Sequence, residues 1–169
     1  MEGKEYGSAI HAAMQYVRYE NCGSTEAVSQ EVTRLVESKF LTEEQGNLVN
    51  CEKIARFFAS EIGSRLRTGT PHLREFKFSI LDDGRHYGEG LEGEQVLLQG
   101  VVDCALLEAG GITVVDFKTD YVTEETLAAV VERYRPQVQT YGEALSRIYE
   151  MPIKKQYLYF FKLDRFVEV

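Results

Sequence analysis

The stretch VLLQGVVDCALLEAGGITVVDFKTD, Val96–Asp120, decides the fold. Its two apolar runs, VLLQGVVDCALLE and ITVVDFKTD, read as strands of a hairpin joined across Ala109, Gly110 and Gly111. Both runs carry apolar residues at odd and even positions alike, the pattern of interior strands covered by helices on both faces. Charges are out of place in such strands. Yet Asp103 stands in the first, and Asp116 and Lys118 stand two apart in the second.

Opposed residues of an antiparallel pair project to one face and their numbers have a constant sum, so the registers can be enumerated. A turn centred between Ala109 and Gly110 sets Asp103 opposite Asp116, with Lys118 one step along the same face. A turn centred between Gly110 and Gly111 sets Asp103 opposite Lys118, with Asp116 diagonal to it. A turn centred on Gly110 itself sends Asp103 to the other face. Gly-Gly is the commoner two-residue turn, which slightly favours the second register. In either of the first two, three charges converge. An ion pair on a solvated face is the commoner source of such a group. Two points weigh against it: both strands are apolar on both faces, and two carboxylates about 5 Å apart repel by roughly 3 kcal/mol at an effective dielectric of about 20. Lysine offsets one charge. An oxygen-preferring divalent cation, magnesium, manganese or calcium, would offset the rest.

Before the hairpin, Pro71 breaks the chain and LREFKFSIL alternates as a strand, with Phe76, Phe78 and Ile80 on one side and Glu75 on the other. DDGRHYGEGLEGEQ, rich in glycine and charge, reads as a flexible loop between strands. The N-terminal portion, about residues 1–70, is helical. Its first helix runs from about Ser8 to about Tyr19 on Ile10, Met14 and Val17. A second follows Ser24 as N-cap and buries Val28, Val32, Leu35 and Val36. A third opens on the capping box Thr42-Glu43-Glu44-Gln45 and carries Ile54, Phe57, Phe58, Ile62 and Leu66 inward. After the hairpin, Thr123 caps a helix reaching Tyr134, Pro136 stands near the start of another ending near Tyr149, and QYLYFFKLDRFVEV closes as one long aromatic strand.

Strand, helical crossover and strand imply a parallel pairing beside the antiparallel hairpin. The expected fold is therefore α+β, a mixed sheet of roughly four or more strands flanked by helices. One domain over residues 1–169 is expected, with the sheet and its flanking helices in about 71–169. The 44% hydrophobic content supports a real core. No apolar run approaches the roughly 18 to 20 residues that span a bilayer, which points to a cytoplasmic protein without membrane contact. Cys22, Cys51 and Cys104 are odd in number and lack CxxC spacing, so they read as buried thiols. A formal charge of −8 argues against holding nucleic acid by surface electrostatics alone. Bound cations, or a larger basic assembly of which this chain is a fragment, would have to help.

QGVVDC, followed about thirteen residues later by VVDFKTD, resembles the core of the PD-(D/E)XK nuclease superfamily. GSAIHAAMQ is similar to the first helix of its RecB-type nuclease domains, REFKF to their glutamate-bearing strand, and YRPQVQTYGEAL to their helix carrying glutamine and tyrosine. These motifs follow in the family's order from Gly7 to Phe161, and resemble in particular the C-terminal nuclease domains of AddA-type subunits. The resemblance implies a restriction-endonuclease-like core. It makes His11, Asp103 and Asp116 metal ligands, with the Phe117 backbone carbonyl as a further one, and Lys118 the catalytic lysine. Glu75 matches the glutamate that completes the acidic site, and Gln137 and Tyr141 match the motif that positions substrate. Val102 stands where the classical motif has proline.

Taken singly, His11 is an ordinary helix histidine and Glu75 an ordinary strand-face acid; proximity to the acid pair raises both. Gln137 and Tyr141, four apart, would also share a face in a merely packing helix. Asp120 has the parity of Asp116 but equally suits a loop cap, His72 and His86 carry no signal, and the aromatic cluster at 157–161 reads as core. The implied activity is a magnesium-dependent, exonuclease-type deoxyribonuclease acting in double-strand-break repair and recombination. DNA, helicase domains of the same polypeptide and an AddB-like subunit would be its partners. Nearby carboxylates favour the charged form of Lys118, so a charge-stabilising part fits it better than that of a general base. Three cysteines at these spacings match no iron-sulfur cluster, and no GxxxxGK(S/T) loop binds ATP. A non-catalytic nuclease-fold module that grips DNA or docks a protein, and a hydrolase of small phosphoesters, remain the rival readings.

Overall fold

The structure, a computed structural model, describes residues 2–169. Among them α1 (Glu2–Tyr16), α2 (Thr25–Glu37), α3 (Glu43–Leu48), α4 (Cys51–Ala59) and α5 (Glu61–Arg67) precede β1 (His72–Asp83), β2 (Gln95–Glu108) and β3 (Gly111–Lys118). A long helix, α6 (Leu127–Tyr149), then leads to β4 (Ile153–Phe160) and β5 (Arg165–Glu168). The five strands form one sheet in sequence order. β3 and β4 pair in parallel across the α6 connection, and the remaining neighbours are antiparallel. This is the mixed α+β architecture that the sequence implied.

The helical portion differs from expectation in its breaks. The capping box forms as read, with Thr42 and Gln45 bonding reciprocally, and Ser24 caps α2 by accepting the Ala27 N–H. The helix expected to continue from Thr42 to Leu66 is three helices instead. Asn50 and Ser60 each leave helical geometry and cap a new start, accepting the N–H of Lys53 and of Gly63. The α4–α5 corner is tight, since a Cβ on Gly63 would lie 2.1 Å from the Phe57 carbonyl oxygen.

Two further expectations are corrected. α6 is one helix through Pro136, not two. Proline removes one donor, to the carbonyl of Glu132, and both residues are exposed to water, which can replace it. The aromatic tail is two strands, because the chain reverses at Asp164, whose φ is +50°. Tyr159, Phe160 and Phe161 are buried core, as read.

One sheet face packs against the first five helices through Ile10, Phe57, Val115, Phe117 and Tyr159. The other packs against α6 through Val114, Leu158, Val138 and Leu145. On β1 and β2 the strand alternation slips at facing positions. On β1, Leu73 and then Phe76, Phe78 and Ile80 face α6; on β2, Val102 and then Ala105 and Leu107 do. Glu75 and Asp103 lie opposed at that slip, between the pairs Arg74 with Cys104 and Phe76 with Val102. Glu75 accommodates it with a left-handed φ of +46°. Cys22 and Cys104 are buried thiols, and Cys51 is half-buried.

Candidate active site

The β2–β3 ladder runs from Glu108 opposite Gly111 to Cys104 opposite Val115, so its continuation sets Asp103 opposite Asp116. The turn therefore centres between Ala109 and Gly110. Turn chemistry pointed slightly to Gly-Gly, but Gly111 has another task. It adopts φ +129°, and a Cβ there would lie 2.6 Å from the Pro152 carbonyl oxygen.

The two acids do different things. Asp103 Oδ2 accepts the Phe117 N–H at 2.8 Å. Asp116 is buried, and its Oδ2 lies 2.8 Å from Lys118 Nζ. That approach is too oblique for a hydrogen bond, so this oxygen accepts none among the described residues. Burial, the Asp103 charge and a hydrogen bond shared with Asp103 outweigh Lys118 and raise the Asp116 carboxyl well above the ordinary range. Burial pushes Asp103 the same way, but His11, its link to Asp116 and the Phe117 N–H prevail and hold it low. The two acids are thus driven apart, Asp116 upward and Asp103 downward, as neighbouring like charges are.

His11 reaches the pair from α1. Its Nδ1 lies 2.9 Å from the Gly7 carbonyl oxygen, and its Nε2 lies 3.0 Å from the Phe117 carbonyl oxygen. Carbonyls only accept, so both nitrogens must donate and the ring is an imidazolium. Asp103 Oδ2, 3.6 Å from Nε2, is the matching charge. The interaction with Asp103 outweighs burial and, with the two carbonyls, raises His11 to about 9. α1 is seated closely here, since a Cβ on Gly7 would lie 2.7 Å from Thr119 Oγ1. Glu75 shares the same field: burial and the Asp103 charge raise its carboxyl, against His11 and Lys77.

No three His, Cys, Asp or Glu side chains among the described residues stand at metal-ligand spacing. The expected donors are engaged with one another: His11 on the Phe117 carbonyl, Asp103 on the Phe117 N–H, and Asp116 against Lys118. Their chemistry still fits a hard divalent cation. Two carboxylates, a carbonyl and an imidazole converge, and Asp116 Oδ2 has uncommitted lone pairs.

From α6, Gln137 is exposed and its Oε1 lies 3.4 Å from Lys118 Nζ. Tyr141 packs edge-on to Phe78, and a Cβ on Gly100 would meet its ring at 2.7 Å. Burial, then the charges of Asp116 and Asp103, push its hydroxyl to about 12. The neighbour that sequence reasoning missed is Tyr134, whose ring centroid lies 3.7 Å from Lys118 Nζ. Its hydroxyl donates to Asp120 Oδ2 at 2.7 Å, so Asp120 serves this ring rather than the acid pair. A signal was available, because Tyr134, Gln137 and Tyr141 fall at i, i+3 and i+7 of one helical stripe.

Comparison with known proteins gives this mixed-sheet chain a family. The chain belongs to the PD-(D/E)XK nuclease superfamily, whose family model matches residues 1–167. It is 37% identical over 99% of its length to the AddA subunit of the ATP-dependent helicase/nuclease of Alkaliphilus metalliredigens, and 34% identical over its whole length to that of Clostridium novyi. The protein of the same name from Bacillus cereus strain AH820 is 33% identical over 98% of the chain. The chain spans only 14 to 15% of these relatives. No helix among the described residues is long and apolar enough to cross a membrane.

Proposed function

We propose that residues 1–169 form a single nuclease domain that hydrolyses DNA phosphodiesters, exonuclease-type, with magnesium or, at the same site, manganese or calcium. The observation that carries this is the opposition of Asp103 and Asp116 at the end of β3, with the His11 ring and the Phe117 carbonyl against them. Asp103, Asp116, His11 and the Phe117 carbonyl would hold the cation, with Glu75 completing the acidic rim. A bound cation supplies a water of lowered pKa and neutralises charge growing on the non-bridging phosphate oxygens.

The chain's own residues do the rest. His11 gives up a proton to become a ligand, because a metal needs its neutral nitrogen. Lys118, beside Asp116 and under the Tyr134 ring, acts as an ammonium that orients water and meets the developing phosphate charge. Gln137 places its amide beside that ammonium, and Tyr141 braces the β1–β2 hairpin near the substrate. The relatives' name joins an ATP-dependent helicase to a nuclease, which supports placing this domain in a longer polypeptide. Its helicase domains would bind ATP and supply most of the basic DNA channel, and its partner would be an AddB-like subunit. Repair and recombination of double-strand breaks in the bacterial cytoplasm would be its setting.

End-labelled single- and double-stranded DNA incubated with magnesium tests the activity. Asp116→Ala and Lys118→Ala are both expected to abolish cleavage, and calorimetry should show that only Asp116→Ala abolishes metal binding. Normal metal affinity in Asp116→Ala would sink the ligand assignment. The internal pairing of the donors favours one second reading, a nuclease-fold module that docks rather than cuts. Melting with and without millimolar magnesium separates the two, since a ligand of the folded state raises its stability.

A further inference from the structure

We infer that Tyr134 is the positioning residue for Lys118: its ring face, tethered behind by Asp120, holds the lysine ammonium at the acid pair. This rests on the nuclease reading above and adds to it a role for the Tyr134 ring.

Three observations carry it. First, Nζ lies 3.7 Å from the Tyr134 ring centroid, well inside the roughly 6 Å within which a ring face attracts a cation. The Lys118 side chain is only 13% exposed, so the contact is largely desolvated, the condition under which it is strongest. Second, the ring is fixed. Its hydroxyl donates to Asp120 Oδ2 at 2.7 Å, and Arg133 holds the same carboxylate oxygen at 3.2 Å. Asp120 lies two residues beyond Lys118, so lysine and tether share one short segment. Third, the other polar neighbours of Nζ orient it only weakly. Asp116 Oδ2 is close but oblique, and Gln137 Oε1 is 3.4 Å away on an exposed side chain.

A lysine is a compact charge on a flexible four-carbon stem, and two such partners leave it free to swing. The ring closes the third side. It fixes how far the ammonium can drop onto Asp116, the carboxylate that a cation must share. Tyr134 acts through Lys118 and touches no reacting atom itself.

Tyr134→Phe keeps the face and drops the tether, whereas Tyr134→Leu keeps apolar bulk and drops the face. With magnesium and end-labelled DNA, the leucine variant should lose about 3- to 30-fold in kcat, the span a cation–π contact supports. KM for DNA should change by less than about twofold, and the phenylalanine variant should recover most of the rate. Equal losses in the two variants, or a loss confined to KM, would overturn the positioning role. A readout independent of cleavage is the NMR shift of the Lys118 ε-methylene protons, which the ring should move upfield in wild type and in Tyr134→Phe. Ordinary lysine shifts in the wild-type chain would overturn the inference directly. A wild-type chain that cuts no DNA would refute the nuclease reading instead, and the methylene shift would then decide the lysine's placement alone.

Discussion

Raising the pH of the metal-free chain should weaken it through His11. The ring's pKa stands at about 9 in the fold against 6.5 for a free imidazole, because the Asp103 carboxylate and two carbonyls favour the cation. A raised pKa contributes stability that is whole below the free value and is lost as pH climbs through the folded one. The displacement is worth about 3 kcal/mol. The histidine side chain is 34% exposed, and solvent screening reduces the figure to about 1–2 kcal/mol. For a chain of this size that is about 2–8 °C in Tm. Asp116, also raised, adds loss of the same sign above the ordinary carboxylate range. Asp103 is lowered, so its contribution is complete well below neutrality and stays constant here. The assay is thermal melting in EDTA from about pH 6 to about pH 10, wild type against His11→Gln. The wild-type advantage should shrink as pH rises, and added magnesium, which competes with the proton for the imidazole, should restore more at high pH than at low. An advantage that is flat or grows with pH would refute the imidazolium reading.

Two substitutions probe the frame. Gly111→Ala forces a side chain onto φ +129° and into the Pro152 carbonyl, and should cost about 3 kcal/mol, or about 6–12 °C in Tm; a drop under about 2 °C would show that the turn relaxes freely. Glu75→Gly relieves a left-handed glutamate at φ +46°, worth about 1–2 kcal/mol, against about 0.5–1 kcal/mol of added chain entropy. Tm should hold or rise by about 1–3 °C while magnesium-dependent cleavage falls; unchanged cleavage would remove Glu75 from the site.

The hairpin and its charges were legible because period and polarity there contradict each other. The register was not. Gly110-Gly111 looks like a turn dipeptide, whereas Gly111 answers to the Pro152 carbonyl, a neighbour some forty residues away in sequence. Helix breaks at Asn50 and Ser60 were missed because a capping residue inside an apolar period looks like an ordinary polar position until the backbone turns. Pro136 misled in the opposite sense, since an exposed proline can stay inside a long helix. Tyr134 was passed over despite the stripe it shares with Gln137 and Tyr141, because a helical aromatic is normally core and its partner Lys118 comes from a strand that only the fold brings beneath it.

Why Asp103 and His11 belong where they are follows from the edge of β3. N–H and C=O of one strand residue point to the same side, and for Phe117 that side is β2. Past Cys104 opposite Val115 the ladder ends, so both backbone groups of Phe117 would go without a strand partner. Asp103 takes the N–H and His11 the C=O. The side chains proposed to hold the cation therefore also satisfy the strand edge in its absence. A divalent cation bound to the Phe117 carbonyl would take the place of the imidazolium that now satisfies it, setting two positive charges rather than one against the acid pair as His11 loses its proton. On the proposed reading the backbone of Phe117 would stay satisfied either way, and an exchange of proton for cation would ready the site for a phosphate.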